Sequence, residues 1–422
     1  MARGSCDLRI LLLAAAAAFI YIQVRLFGTQ SHYAERLAEA VRKIRKPMHQ
    51  SVKVLDRSSQ HAAGEDCSTR REIKIRQDEE RAHLKILIQD LEKRSVQKLL
   101  DKNVVPVAAV VIMACNRPDY LQRTVESILK YQSSVASKFP LFISQDGTNG
   151  AVKKKALDYK QITYMQHVDL EPVRTERPGE LTAYYKIAKH YKWALDELFI
   201  KHNFARVIIL EDDMEIAPDF FDYFEAAAKL LDNDKTIMAV SSWNDNGQKQ
   251  FVYDPKALYR SDFFPGLGWM LTKSTWVELS PKWPKAYNFG EHGSSMGQFF
   301  KQYLEPIKLN DVHIDWNSED LSYLGEDKFS IQFGKEVASA TPLHGSDAVL
   351  KAHNMDADVR IQYNDQEDFE RIARQFGIFE EWKDGVPRTA YKGVVVFRYN
   401  SSRRRIFLVG PDSLGQLGVQ QR

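Results

Sequence analysis

Cysteine is scarce: three in 422 residues, at Cys6, Cys67 and Cys115. Neither the number nor the spacing makes a zinc site or a disulfide framework. Cys6 precedes the long apolar segment, which would place it across any membrane from the rest. Cys67 can then pair only with Cys115 or with another chain. Cys115 ends an apolar run and is expected as a buried free thiol. Charge of one sign is lacking as well. The 59 Lys and Arg stand against 56 Asp and Glu, a net charge of +3. No bulk field therefore argues for nucleic acid as a partner. There is no internal repeat and no long low-complexity tract. No Gly-x-Gly-x-x-Gly sits between a strand and a helix. Gly266-Leu267-Gly268 lacks both the third glycine and the setting, which disfavours a dinucleotide fold of the dehydrogenase type.

One long apolar run is present, at Ile10–Ile22, preceded by Arg3 and Arg9. Residues 10–27 approach the length needed to span a thin bilayer. The sequence after the run, Tyr21-Ile22-Gln23-Val24-Arg25, lacks the small residues of a cleavage site. An uncleaved signal anchor is expected, with residues 1–9 as the tail before it. Arg25, Arg36, Arg42 and Lys43 follow the run, so the positive-inside rule does not settle orientation. The bulk of the chain lies after the run, and Asn400-Ser401-Ser402 is a glycosylation sequon. Both favour a lumenal body. Residues 28–104 read as a stem. Within it, 73–100 carries a helical apolar stripe through Leu84, Leu87, Ile88 and Leu91. It is either a short coiled coil that dimerises the stem or a helix on the body.

The texture changes at Val104. Residues 107–115 read as a buried parallel strand, followed by a helix over 119–131. Strands follow at 140–145, 162–165, 207–210 and 236–241, with helices at 181–199 and 220–231. Alternating strands and helices predict an α/β body over 105–422, a mostly parallel sheet wound on both faces. Its tail, 356–410, reads as helix and then hairpin. Val207-Ile208-Ile209-Leu210 runs straight into Glu211-Asp212-Asp213. Acids at the C-terminal end of such a strand sit where open α/β sheets bind ligands. Hard oxygen donors there suit Mg²⁺ or Mn²⁺ beside a diphosphate. Arg117 and Asp146 come after two other strands on the same expected edge. An Arg can fork to phosphate, and an Asp can accept from a uracil or a ribose hydroxyl. His190 lies on a helix face, where a structural role is the default. The segment from Gly290 to Gly297 is polar and Gly-rich and can order over a phosphate. Trp269, Trp276 and Trp283 are expected in the core.

Several runs together carry a specific resemblance. They are Met113-Ala114-Cys115, Ser144-Gln145-Asp146-Gly147, Arg177-Pro178-Gly179-Glu180-Leu181, Leu210-Glu211-Asp212-Asp213-Met214-Glu215-Ile216, Phe264-Pro265-Gly266-Leu267-Gly268-Trp269 and Gly297-Gln298-Phe299-Phe300. Over essentially its whole length the chain resembles the N-acetylglucosaminyltransferase I family, in a plant-like form. The resemblance implies a type II Golgi membrane enzyme with a GT-A catalytic body, Rossmann-like with a mixed sheet and helices on both faces. It implies Mn²⁺ as cofactor, UDP-GlcNAc as donor and a Man5GlcNAc2 glycoprotein as acceptor. GlcNAc would be added with inversion, in β1,2 linkage, to the α1,3-arm mannose. Homo-oligomers, or hetero-oligomers with other Golgi glycosyltransferases, are possible through stem and body. By matching motif, Arg117 and Asp146 bind the UDP moiety and His190 contacts the nucleotide-sugar. Glu211 and Asp212 hold sugar and ribose, and Asp213 is the main protein ligand to Mn²⁺. Gly293 and Ser295 belong to the loop that orders over the donor.

The chain departs from the family at one place. There, the Trp-Pro-Lys-Ala-Tyr/Phe run is followed by Trp-Asp-Asp-Trp and a further basic and apolar segment. Here Trp283-Pro284-Lys285-Ala286-Tyr287 runs directly into Asn288-Phe289-Gly290. A skipped exon or a gene-model error leaves such a clean internal loss. The second aspartate of the lost run is the family's catalytic base. An inverting transfer needs a base to take the acceptor proton. Glu291, Asp262 and Glu278 are the candidate substitutes, and spacing does not choose among them. The alternative expectation is therefore a catalytically impaired Golgi protein that keeps nucleotide-sugar or partner binding.

Overall fold

The computed structural model describes residues 105–264, 266–286, 307–383, 385–399 and 403–419. The chain divides into two units, Met1–Ile88 and Gln89–Arg422, and all the described residues belong to the second. The expected anchor, the stem with its 73–100 helix, Cys6 and Cys67 lie outside the described residues. So do Glu291, Gly293 and Ser295 of the Gly-rich loop and the Asn400 sequon. Among the described residues no helix is long and apolar enough to cross a membrane.

The described body begins with a six-stranded sheet. Its strands are β1 (Ala109–Ala114), β2 (Leu141–Asp146), β3 (Thr163–His167), β4 (Arg206–Glu211), β5 (Val240–Ser241) and β6 (Trp269–Thr272). Their spatial order is β3-β2-β1-β4-β6-β5. The first four run parallel, β6 runs antiparallel to β4, and β5 runs antiparallel to β6. The mixed sheet is thus parallel where the site is built. The expected strand over 236–241 survives only as Val240–Ser241. Thr236 instead folds onto Asp234, whose carboxylate accepts from its backbone N–H and its hydroxyl. Such local bonding competes with a sheet ladder.

Helices cover both faces because strand side chains alternate. Val110 and Ile112 of β1 pack with α1 (Pro118–Gln132), α2 (Gly150–Asp158) and, further along the chain, α4 (Phe220–Asn233). Ala109, Val111 and Met113 face α3 (Thr182–Asp196) and α5 (Lys273–Leu279) on the other side. Helix α1 shows the local logic. Pro118 occupies its first turn, where the missing N–H costs nothing. Leu121, Val125 and Ile128, at helical spacing, are fully buried. Trp269 and Trp276 are buried as expected. Trp276 stacks on Phe199, and its Nε1 donates to Asp196. Trp283 is half-buried and donates to the Ala188 carbonyl at 2.9 Å.

The C-terminal part holds α6 (Glu326–Ser339), β7 (Thr341–Leu343), α7 (Ala348–His353), β8 (Val359–Gln362) and α8 (Gln366–Phe376). A short pair, β9 (Trp382–Lys383) and β10 (Val386–Pro387), leads to the hairpin of β11 (Val394–Arg398) and β12 (Arg405–Val409). The second sheet runs β11-β12-β8-β7, with β8 parallel to both of its neighbours. Helix α8 follows from its own sequence. Asp365 caps it by accepting from the Asp368 N–H, and Gly377 ends it in the left-handed region at φ 75°. Phe369, Ile372, Ala373 and Phe376 form its buried stripe. The two sheets are tied by a buried polar knot. Asp245, 3% exposed, accepts from Trp243 Nε1 at 2.9 Å and from Arg388 Nε at 2.8 Å. Asn246 accepts from the Phe379 N–H and donates to Thr389.

Candidate functional site

The parallel registers place Met113 opposite both Ser144 and Glu211. The strands β1, β2 and β4 therefore end together, and the residues at their C-terminal ends share one rim. Asp146 is the last residue of β2 and Glu211 the last of β4. Arg117 is the residue before α1, three positions past the end of β1. The expected convergence of Arg117, Asp146 and the three acids is what the fold delivers. Cys115 corrects an expectation: it is exposed, not buried. The reason is position. It is the first residue beyond β1, where the sheet edge opens and no further strand residue covers it.

Arg117 makes the central contact of the rim. Its guanidinium pairs with Asp212 through one nitrogen and with Asp213 Oδ2 at 2.9 Å through the other. The Asp212 side chain is 3% exposed and that of Asp213 37%. Burial pushes the Asp212 carboxyl up, and Arg117 pulls it part of the way back. A buried carboxylate needs such pairing. Glu211 is also pushed up by burial, with the Tyr191 hydroxyl opposing by donating to Oε1 at 2.7 Å. The chain just past the acids is held by α1. Thr124 Oγ1 accepts from the Met214 N–H and Ser127 Oγ from the Ile216 N–H, each at 3.1 Å. Behind this turn Gly268, at φ 55°, lies where a Cβ would stand 2.5 Å from Ser242 Oγ. Only glycine meets both demands.

On the β2 side, His167 Nδ1 lies 3.2 Å from Asp146 Oδ1. His167 stacks on His190 with ring centroids 5.6 Å apart and on Trp193 at 5.1 Å. His190 is 4% exposed, and its Nε2 lies 2.8 Å from Ser144 Oγ. So His190 sits below the rim, locked to β2. Burial lowers its pKa from the ordinary 6.5 to about 4, against a smaller upward pull from Asp146. The unfolded chain takes up a proton at this histidine between those two values, and the folded chain does not. Stability from His190 is thus complete above pH 6.5 and is lost as pH falls toward 4, by about 3 kcal/mol at most. Urea midpoints should drop over that window. A His190→Gln chain should show a visibly flatter profile, and an unchanged profile would remove His190 as the cause.

Sequence reasoning missed Tyr191, His167 and Ser144 as members of the site. Tyr191 was legible only as one residue of a helix face, and its hydroxyl reaches Glu211 because α3 packs on β4. His167 is the residue that closes β3, one strand further along the same rim, and that placement was the available signal. Of the candidate substitute bases, Asp262 accepts from the Lys392 backbone N–H at 2.5 Å. Glu278 is exposed on α5. Glu291, Gly293 and Ser295 fall outside the described residues.

Among the described residues no group of three or more His, Cys, Asp or Glu is arranged to hold a metal. The donor set still fits one kind of ion. A hard divalent cation binds through one or two carboxylates when substrate phosphates complete its shell. Asp213, the more open acid of the pair, has the donor type and exposure that such a role requires. Arg117 supplies the positive charge that the two aspartates need.

Comparison with known proteins places the whole chain. A model of the GNT-I family matches residues 13–288 and 285–421. The match is thus in two pieces that meet at 285–288, the position where the sequence departs from the family. The alpha-1,3-mannosyl-glycoprotein 2-beta-N-acetylglucosaminyltransferase of Arabidopsis thaliana is 64% identical over 449 positions, covering all of both chains. Since this chain has 422 residues, at least 27 of the 449 positions (449 minus 422) have no residue here. Among solved structures, the mannosyltransferase PcManGT from Pyrobaculum calidifontis in complex with GDP-Man and Mn²⁺ aligns at 13% identity and TM-score 0.28, over 69% of this chain and 76% of that one. The galactosyltransferase LgtC in complex with donor and acceptor sugar analogs aligns at 13% identity and TM-score 0.27, over 48% and 67%. At such scores neither alignment bears on the site. The family match and the full-length identity are decisive: the chain belongs to the GNT-I family and is a glycosyltransferase.

Proposed function

We propose that the chain transfers GlcNAc from UDP-GlcNAc, in β1,2 linkage and with inversion, to the α1,3-arm mannose of Man5GlcNAc2. This step initiates hybrid and complex N-glycans. The observation that carries the reading is the rim. Arg117, Asp146, Glu211, Asp212 and Asp213 meet at the C-terminal edge of a parallel sheet, in a chain of this family. The body takes the GT-A form, with the mixed sheet as its nucleotide-binding half. Arg117 neutralises the paired aspartates and offers its fork to the diphosphate. Asp146, oriented by His167, accepts from the uracil or ribose. Glu211, oriented by Tyr191, and Asp212 hold sugar and ribose hydroxyls. His190 supports the donor pocket from below, and Gly293 and Ser295 belong to the loop that covers the donor.

Asp213 would hold Mn²⁺, which supplies charge to the diphosphate and steadies UDP as leaving group. The anchor at 10–27 makes the chain a single-pass type II Golgi membrane protein with its body in the lumen. The stem allows self-association or association with other Golgi glycosyltransferases.

Calorimetric titration of UDP-GlcNAc with and without Mn²⁺ tests the reading. Binding should depend on Mn²⁺. Asp213→Ala should weaken it on the order of tenfold or more, since even residues behind the metal ligands cost that much. Binding that ignores both Mn²⁺ and Asp213 would refute the metal–donor rim.

The two-piece family match and the unmatched positions favour a second reading of this exact chain. In it the donor rim is intact and the base segment is lost, so the protein binds nucleotide-sugar and turns it over slowly.

A further inference from the structure

A cleft of about 170 Å³ lies between residues 257–259, Tyr323, helix α6 and Arg405 of β12. It is far from the donor rim. Arg260, next in chain to Tyr259, bonds Asp234 and Thr236, just past the end of α4. That end of α4 lies at the start of β4, where Arg206 pairs with Asp232. The rim is at the other end of β4, six residues and roughly 20 Å away.

We propose that this cleft binds one neutral hexose ring. Its size suits a single ring, since a cavity of about 150 Å³ admits benzene. Its walls suit a sugar. Phe329 and Phe333 form a buried apolar floor, stacked at 5.3 Å. Tyr259 and Tyr323, 45% and 39% exposed, stand at the mouth. Aromatic faces bury the C–H face of a sugar, and tyrosine hydroxyls meet its edge.

The polar wall is held in place. Gln332 Nε2 donates to Glu336 Oε1 at 2.8 Å, and Arg405 pairs with the other Glu336 oxygen. Arg405 is also paired with Asp358 at 2.7 Å. The Gln332 amide carbonyl and the Tyr323 O–H, whose oxygen already accepts from the Leu258 N–H, face ligands as one acceptor and one donor.

Charge excludes the other classes of ligand. Arg405 and Glu336, the cation and the anion of the lining, neutralise each other, so neither an anion nor a cation meets a net charge in the cleft. A neutral polyhydroxylated ring remains, either a free hexose or the terminal residue of a protein-borne glycan.

Saturation-transfer NMR on the full chain tests this with three probes: methyl α-mannopyranoside, a Man5GlcNAc2 glycopeptide and choline. The donor rim is filled by saturating UDP throughout. At least one sugar probe should receive saturation, the mannoside if free hexose is recognised, the glycopeptide alone if the glycan is needed. Tyr259→Ala should weaken binding about fivefold to tenfold, the loss of one stacking face. Gln332→Ala, on an exposed helix position, should weaken it as well and serves if the first variant misfolds. The glycopeptide is also the proposed acceptor at the rim, so its signal counts for the cleft only as the part that these variants remove. No saturation of either sugar overturns the proposal, as does sugar saturation undiminished by both substitutions or a site that prefers choline. Donor binding at the rim is read separately, so failure here leaves that reading intact.

Discussion

Inserting a family-like Trp-Asp-Asp-Trp segment after Tyr287 should raise GlcNAc transfer to Man5GlcNAc2 by roughly 10²–10⁴-fold, the usual contribution of a general base. The attacking mannose hydroxyl is a poor nucleophile while it keeps its proton. Glu211 is engaged by Tyr191, and Asp212 and Asp213 are engaged by Arg117. Asp262 is bonded to the Lys392 backbone. These carboxylates are committed to other partners, and Glu278 lies out on the exposed side of α5. Three chains should be assayed together: the natural one, the insertion, and the insertion with Asn for its second aspartate. The third separates the base from the rest of the inserted segment. Donor affinity should stay within a few-fold across all three, because the rim is built from other strands. Equal turnover in the natural and inserted chains would mean that another carboxylate takes the proton and that the gap is catalytically silent.

The second large effect concerns stability. Asp245→Ala should cost about 3–5 kcal/mol, the usual penalty for breaking a buried charged pair from one side. Asp245 is 3% exposed and joins Trp243 Nε1 to Arg388. Arg388 is further paired with Glu381 and lies over the rings of Phe263 and Phe379, at 4.7 and 4.5 Å. Truncation leaves an indole N–H without its acceptor and the half-buried guanidinium with Glu381 alone. It also loosens the bond between the loop after β5 and the segment beside β9. Chemical denaturation of the single variants and of Asp245→Ala with Arg388→Met gives the coupling. The double variant should recover part of the loss, since removing both charges is cheaper than removing one. A loss under about 1 kcal/mol in the single variant would show the knot to be solvated.

The first half of the body is legible in the sequence. Residues 107–115, 140–145 and 207–210 are apolar runs with polar ends, and each is a strand within a residue or two. Such runs are local statements about burial on both faces, so they survive folding unchanged. The stretch 236–239 was not legible, because Asp234 captures Thr236 before a ladder can form. The fate of Cys115 depends on where β1 stops, which neighbouring strands decide and local hydrophobicity does not.

The sequence alone determined the class of the fold and the edge on which Arg117, Asp146 and Glu211–Asp213 would gather, while the loss after Tyr287 shows only against the family. Fold class and edge are matters of local pattern or of order along the chain. Only the tertiary structure decided who holds whom. Arg117 reaches Asp212 and Asp213 across 95 and 96 positions of chain. Tyr191 reaches Glu211 because α3 crosses β4, and His190 lies beneath the rim because it meets Ser144 on β2. Such contacts depend on the register of strands and the seating of helices. Those are set by the packing of the whole core, and no window of sequence contains them.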